Sequence, residues 1–284
     1  MKRPLAEVKT VLVTGCSSGI GRASADLLRS SGWLVVPTAR TEEDLDALRN
    51  DGYTPVRLDL ADENSVEEAA GEALEILGGQ LGGLVNNAGF ALMGAMEDVS
   101  REVLRHQMEV NFIGVQDLTN RFIPVLRAQG WGRIVNVSSV YGRVAAPLVG
   151  SYCASKFALE AATDALRIEL WSTGVGVSLI EPGPIITEFR SNAAAVAAEH
   201  LDAGQSRFGD TYDQKITRKK KRTPKPDFFR KPPSAVAIKI RHALESNHPR
   251  RRYGVTPAAT LVAVLRRIAP DALLDAALRR QAGT

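Results

Sequence analysis

A chain of 284 residues with 44% hydrophobic and 24% charged positions has the composition of a soluble globular protein and the length of one large domain. Its two cysteines, Cys16 and Cys153, supply no disulfide framework and fit a reducing, cytoplasmic setting. The net charge of +4 is mild, no uncharged apolar stretch approaches the roughly 18–20 residues of a membrane span, and the opening MKRPLAEVKTVLVTG reads as charges leading into a strand and not as a signal peptide.

From the start, runs rich in valine and isoleucine alternate with helical patterns. Val8 to Val13 is a strand candidate, followed by a glycine-rich turn and a helix through Leu27 and Leu28. Trp33 to Thr38 is a second strand, Glu42 to Arg49 a helix, Thr54 to Leu58 a third strand and Asp62 to Leu77 a helix. Leu84 and Val85 mark a fourth strand, and a long helical stretch runs from about Val99 to Ala128. Strand Arg133 to Val137, helix Tyr152 to Trp171 and strand Val175 to Ile180 follow. Strands separated by helices of this length indicate βαβ units, hence a doubly wound α/β fold of Rossmann type, with about seven parallel strands and helices on both faces.

Beyond Ile180 the pattern changes. Residues 187–233 carry an alanine-rich helical piece (Asn192 to Ala198), a basic run at 218–225 and a proline-rich stretch. Ser234 reads as the N-cap of a helix through Ile240 and Leu244, and Tyr253 to Val255 as a last short strand. The tail, 257–281, reads as two amphipathic helices broken at Pro270-Asp271, with Leu261, Val264, Leu265 and Ile268 on one face. There is no repeat and no linker that would split the chain, so 1–284 is read as a single domain.

TGCSSGIG, residues 14–21, follows the first strand and opens the first helix. Its glycines, Gly15, Gly19 and Gly21, meet the demands of a pyrophosphate site: a tight turn, close backbone approach and tight helix–strand packing. The helix N-terminus offers N–H groups and a positive dipole end, and Ser17 and Ser18 add hydroxyl donors. The end of the second strand selects the dinucleotide. It reads VVPTAR, with Ala39 and Arg40 where a carboxylate would favour NAD; an arginine there pairs with a 2′-phosphate, so NADP(H) is expected.

Tyr152 and Lys156 stand four apart and Ser139 thirteen before the tyrosine. On a helix, positions i and i+4 share a face, so phenol and ammonium can meet. A nearby cation lowers a tyrosine pKa from its usual value of about 10, which suits a proton donor or acceptor at a carbonyl or alcohol oxygen. The pair alone is weak, because most such pairs are an amphipathic tyrosine and a solvated lysine. The cofactor loop gives it meaning.

These segments together closely resemble the short-chain dehydrogenase/reductase family, motif by motif from residue 8 to about 187. The resemblance assigns the cofactor to Gly15, Ser17, Ser18, Gly19, Ile20 and Gly21 of the loop and to Arg40. It adds Asp59 and Leu60 for the adenine, and Asn86, Ala88 and Gly89 of NNAG. Pro182, Gly183, Ile185 and Thr187 of EPGPIIT would lie along the nicotinamide, with Tyr152 and Lys156 beside it. It implies hydride transfer between NADP(H) and a carbonyl or alcohol carbon. Tyr152 would act as acid or base, Lys156 would lower its pKa and hold the ribose, and Ser139 would polarise the substrate oxygen. Asn111 would help to hold a water leading to Lys156. No metal is called for, and a dimer or tetramer through the helices at 99–128 and 152–171 is implied.

Residues 187–233 are expected to form a lid. The surrounding Ala91, Leu92, Met93, Val140, Val144, Ala145, Pro147, Leu148, Val149 and Ile186 are mostly apolar, which suggests a lipophilic carbonyl or alcohol such as a steroid, retinoid or long-chain aldehyde. The basic run lacks the interleaved aromatics of a nucleic-acid platform and reads as a solvated part of the lid. The tail helices read as packing on the domain or a partner subunit, and a peripheral membrane contact would also suit a lipophilic substrate. The other reading of the whole chain is a non-catalytic NADP(H)-binding regulator with the same fold.

Overall fold

The computed structural model describes residues 7–212 and 229–282; the basic run at 218–225 lies outside them. Seven strands form one sheet in the order β3-β2-β1-β4-β5-β6-β7, every neighbouring pair parallel. They are β1 (Thr10–Val13), β2 (Leu34–Ala39), β3 (Val56–Arg57), β4 (Gly83–Asn86), β5 (Gly132–Val137), β6 (Val175–Glu181) and β7 (Arg252–Gly254). The order reverses between β1 and β4, and such a switch point opens a crevice at the carboxyl ends of the strands.

The helices are α1 (Gly19–Ser30), α2 (Glu42–Asn50), α3 (Glu63–Ile76), α4 (Arg101–Met108), α5 (Gly114–Gln129), α6 (Gly150–Glu169), α7 (Phe189–His200), α8 (Gly209–Tyr212), α9 (Pro233–Glu245), α10 (Pro257–Ile268) and α11 (Asp271–Ala282). Strand side chains alternate between two cores, as the period of two requires. Leu12, Val36, Leu84 and Ile134 pack toward α3, α5 and α6, through Val66, Phe122 and Leu159. Val11, Val13, Val35, Val85 and Val135 pack toward α1, α2 and α9, through Leu28, Leu45 and Ile240. Each fully buried side chain of this size contributes about 1.5–3 kcal/mol, so the two cores carry the fold.

Three expectations are corrected. The helix predicted from Val99 to Ala128 is two, α4 and α5, joined by the π-helical turn Glu109–Ile113. A Cβ on Gly114 would stand 1.9 Å from the Leu60 carbonyl oxygen, so this glycine lets α5 start against the loop after β3. The wide turn just before it carries Asn111 fully buried. Ser234 is not an N-cap: Pro232 occupies that position and Pro233 the first helical one, where its fixed φ and missing N–H cost nothing. The tail breaks at Pro270-Asp271 as expected, with Thr256 capping α10, but Leu261, Val264 and Ile268 are exposed and not packed on the domain. Among the described residues no helix is long and apolar enough to cross a membrane.

Candidate active site

The glycine-rich loop is shaped by what cannot fit in it. Gly15 and Gly19 take φ of +71° and +60°, the left-handed region that strains any side chain. A Cβ on Gly21 would stand 2.0 Å from the Gly15 carbonyl oxygen, so the first turn of α1 closes directly on the loop. The loop is fixed from the β4 side. Thr14 Oγ1 accepts from the backbone N–H groups of Asn87 and Ala88 (both 2.9 Å), while Asn87 Nδ2 donates to the carbonyls of Thr14 (2.9 Å) and Gly15 (3.1 Å). The Ser18 hydroxyl caps no N–H of α1, and Ser17 and Ser18 are exposed. The first-turn N–H groups therefore lack a side-chain cap and suit an anion. Thr187, from the segment after β6, packs on the loop, its Cγ2 lying 3.2 Å from where a Cβ on Gly19 would be. Loop, helix end and glycine cradle fit a dinucleotide pyrophosphate.

Arg40 is exposed just past the end of β2, and Ala39 before it is buried. Leu60 is buried, and Asp59 turns its carboxylate onto the Ala61 N–H (3.0 Å). Gly89 lies against the next group, since a Cβ there would meet Asn111 Oδ1 at 2.9 Å and Lys156 Nζ at 3.6 Å. The Asn86 side chain does not face this groove. Its amide donates to Thr119 (2.9 Å) and Asn136 (2.8 Å), so it ties β4 to α5 and β5.

Ser139 follows β5, and Tyr152 and Lys156 occupy the first two turns of α6; all three are buried. The Ser139 hydroxyl accepts from the Tyr141 N–H (3.1 Å) and lies near enough to the Tyr152 phenol to act on its proton affinity. Lys156 Nζ donates to the Val137 carbonyl (3.0 Å) and stands 5.9 Å from the tyrosine ring centroid. Burial pushes the phenol well above its ordinary value while Ser139 pulls it down, and burial lowers the Lys156 ammonium to about 8. Of the neighbouring groups it is Ser139 that pulls the phenol down. Both groups are taken out of water, and desolvation penalises each charged form. The Asn111 side chain is a brace. Its amide donates to Phe90 O (2.8 Å) and Ser155 Oγ (3.0 Å) and its oxygen accepts from Phe90 N–H (3.0 Å), which ties the segment after β4, the π-turn and α6 together.

The wall opposite the loop is apolar. Tyr152 packs with Ala91 and Ala193, flanked by Met93 and Tyr141. The Phe189 ring lies 5.6 Å from that of Tyr152, and Tyr141 meets it edge-on at 6.4 Å. Of the expected lining, Leu92 is fully buried packing, its N–H held by Gln107 (2.9 Å). Leu148, at φ +66°, joins Ala95 and Tyr212 under the descending lid. Pro182 accepts from the Val140 N–H (2.9 Å), and a Cβ on Gly183 would stand 2.1 Å from Thr256 Oγ1. Ile185 bridges to Lys231, pairing the strap after β6 with the chain entering α9. Thr14, Asn87, Tyr141, Ser155 and Phe189 escaped notice as individual residues. Asn87 and Ser155 lie inside recognised motifs, but Phe189 carried no signal, since its role depends on a lid helix folding over Tyr152. Cys16 and Cys153 are both buried, Cys16 raised to about 12 by burial, as inert thiols should be. No group of three or more His, Cys, Asp or Glu side chains that could hold a metal occurs among the described residues.

A switch-point crevice with this loop and a buried serine, tyrosine and lysine defines a nucleotide-dependent oxidoreductase site. The profile for short chain dehydrogenase matches residues 9–197, and the chain belongs to the short-chain dehydrogenase/reductase family, whose members act on CH–OH and C=O groups. It is 40% identical over 274 residues to the uncharacterized oxidoreductase YbbO of Escherichia coli, covering 95% of this chain and 94% of that one. It is 36% identical to retinol dehydrogenase 16 of Mus musculus (95% and 87% covered). To the NADPH-dependent 3-dehydrocapnine reductase of Ornithobacterium rhinotracheale it is 34% identical (94% and 95%). Among solved structures, a short-chain dehydrogenase from Streptomyces avermitilis superposes with a TM-score of 0.76 at 29% identity, covering 94% and 96% of the two chains. A Burkholderia phymatum enzyme in complex with NAD gives 0.74 at 26% identity (92% and 94%). One from Burkholderia cenocepacia in complex with NADP gives 0.73 at 27% (95% and 97%).

Proposed function

We propose that this protein is an NADP(H)-dependent oxidoreductase of lipophilic carbonyl compounds or alcohols. The observation that carries the reading is the burial of Ser139, Tyr152 and Lys156 together beneath an aromatic and aliphatic wall of Met93, Tyr141, Phe189 and Ala193. Bound along Gly15–Gly21 and the strap at 182–187, a nicotinamide dinucleotide would supply the hydride donor or acceptor. The chain's own groups then do the rest. Ser139 orients the substrate oxygen, Tyr152 gives or takes its proton, and the buried Lys156 offers a positive charge close to the phenolate. The apolar wall excludes water and favours a substrate without charge beside the reacting carbon.

Arg40 supports the phosphorylated cofactor, and the register adds to it: Ala39 pairs with Arg57 of β3, so a second arginine stands at the same sheet edge. The 3-dehydrocapnine reductase is named as NADPH-dependent and retinol dehydrogenase 16 for a lipophilic alcohol, which agrees with both halves of the reading. The exposed Ile113, Phe157 and Ile168 agree with a homo-oligomer formed through the α4, α5 and α6 region.

The test is oxidation of NADPH, against NADH, over a panel of aldehydes, ketones, steroids and retinoids. Turnover with lipophilic members and preference for NADPH are expected. In Tyr152→Phe, turnover should fall by at least about a hundredfold, the scale of a lost general acid, with NADPH binding by fluorescence quenching retained. Substantial turnover by that variant would remove Tyr152 from the role.

A further inference from the structure

Behind Tyr152 and Lys156, the same helix turns from an apolar cleft into a cluster of buried charge. Glu160 stands one helical turn beyond Lys156, buried like it. Arg252, from β7, reaches across to the carboxylates of Glu160, Asp164 and Glu181, the Glu181 contact being 2.6 Å. Arg143, four residues beyond Ser139, reaches the same Glu181 at 3.2 Å. Ser138 joins from the end of β5. A Cβ on Gly142 would stand 2.6 Å from Ser138 Oγ and 2.8 Å from Glu160 Cγ, so glycine there lets the hydroxyl and the carboxylate approach.

The four contributing segments are those that carry the site. Ser138 precedes Ser139, Glu160 follows Lys156, Glu181 precedes the Pro182–Thr187 strap, and Arg252 fixes β7, whose continuation places Thr256 over Gly183. A buried network of this kind costs desolvation and is a poor source of stability compared with apolar packing. Its place one turn behind an ionisable pair gives it another use.

We propose that Glu160, held ionised by Arg252, is a positioning residue for the Tyr152–Lys156 pair: the fixed counter-charge that keeps Lys156 an ammonium. The inference rests on the oxidoreductase reading for its purpose but not for its physics. The groups facing Lys156 are Tyr152 and Glu160 on α6, the Val137 carbonyl of β5, and Asn111 with Gly89 from the π-turn and the loop after β4. Among these described residues only Glu160 brings a full charge, and it opposes the burial that drives the Lys156 ammonium down to about 8. Burial in turn pushes the Glu160 carboxyl up, with Glu181 adding to it, while Ser138 and the Arg252 guanidinium pull it back, Arg252 being the one full positive charge among them. The chain of control therefore runs from Arg252 to Glu160 to Lys156.

The test is a ¹⁵N-lysine NMR titration of the full chain without nucleotide, the Lys156 signal assigned by its loss in Lys156→Met. In Glu160→Gln, which keeps shape and hydrogen bonds, Lys156 should lose its proton about one pH unit lower, the scale of one charge a helical turn away. Arg252→Met should do the same, because Glu160 without its partner takes up a proton; Arg252→Lys should restore the wild-type titration. The alkaline limb of kcat for carbonyl reduction should move down with the lysine, with KM little changed. An unmoved Lys156 titration in folded Glu160→Gln overturns the proposal, whatever happens to activity. If Arg252→Met does not fold, Glu160→Gln alone decides. If the wild-type protein binds neither NADPH nor NADH while Glu160→Gln still shifts Lys156, the oxidoreductase reading falls and the charge coupling stands.

Discussion

On one side of the cleft, from Thr14 to Gly89, the walls are main chain held at close quarters: Gly15 against Ala88, Gly21 against Gly15, and Asn87 spanning Thr14 and Gly15. On the other side, from Ala91 to Tyr212, the walls are side chains brought from far apart in sequence: Met93, Tyr141, Leu148, Phe189, Ala193 and Tyr212. The first wall admits one backbone path, and only glycine satisfies it at several points. The second can be refitted by changing a side chain without disturbing the sheet. A fold arranged this way can keep its cofactor while its substrate changes. The same contrast makes the two walls answer differently to substitution.

The largest effect is expected where the first wall has no room. In Gly21→Ala the new methyl must displace the Gly15 carbonyl, which a Cβ would approach to 2.0 Å. Overpacking of this kind costs about 1–3 kcal/mol or more, and the shifted loop can no longer present its N–H groups. Thermal unfolding should fall by several degrees, and NADPH quenching should be lost even in the folded fraction. Intact NADPH binding in Gly21→Ala would mean that the loop is more pliable than its geometry.

That difference also explains what could be read before the structure. TGCSSGIG, NNAG and the Tyr152–Lys156 spacing are legible because each is a local solution to a steric or chemical demand. The seven-strand parallel sheet is legible because strands buried on both faces are apolar throughout. The π-turn at Glu109–Ile113 is not, because a one-residue change of helical register leaves the apolar pattern almost intact. Nor is the Arg252 network, in which Arg252 meets Glu160 from 92 residues away, or the part of Phe189 in the substrate wall. The side-chain partners of Asn86 and Asn111 are equally illegible, since a sequence gives no indication of where an amide finds its partners.

A middle-sized effect belongs to Arg40, where the cofactor wall meets solvent. Charge-assisted hydrogen bonds contribute about 1.5–3 kcal/mol, so Arg40→Asp should weaken NADPH binding by roughly 10- to 100-fold and leave NADH binding equal or better. Nucleotide titrations followed by fluorescence give both numbers. Unchanged NADPH affinity would assign the phosphate to another group, with Arg57 the first to examine.

The smallest and most selective effect should come from the substrate wall. Tyr212 ends α8 with its ring buried against Ala95 and Leu148. Its hydroxyl accepts from the Ala95 N–H at 2.7 Å and donates to Asp98, which Ser206 also holds at 2.6 Å. These bonds fasten the lid to the segment before α4, one side chain at a time. Tyr212→Phe keeps the buried ring and removes the fastening, leaving the Ala95 N–H without a partner at a local cost of about 1–3 kcal/mol. Hydrogen exchange should accelerate at 94–98 and 201–212 and nowhere along the glycine-rich loop. KM for the larger carbonyl substrates should rise severalfold, while NADPH affinity stays at the wild-type value because no atom of the first wall depends on the latch. Were NADPH affinity to fall in step with KM, the two walls would be one mechanical unit, and the independence that lets substrate vary over a fixed cofactor site would be lost.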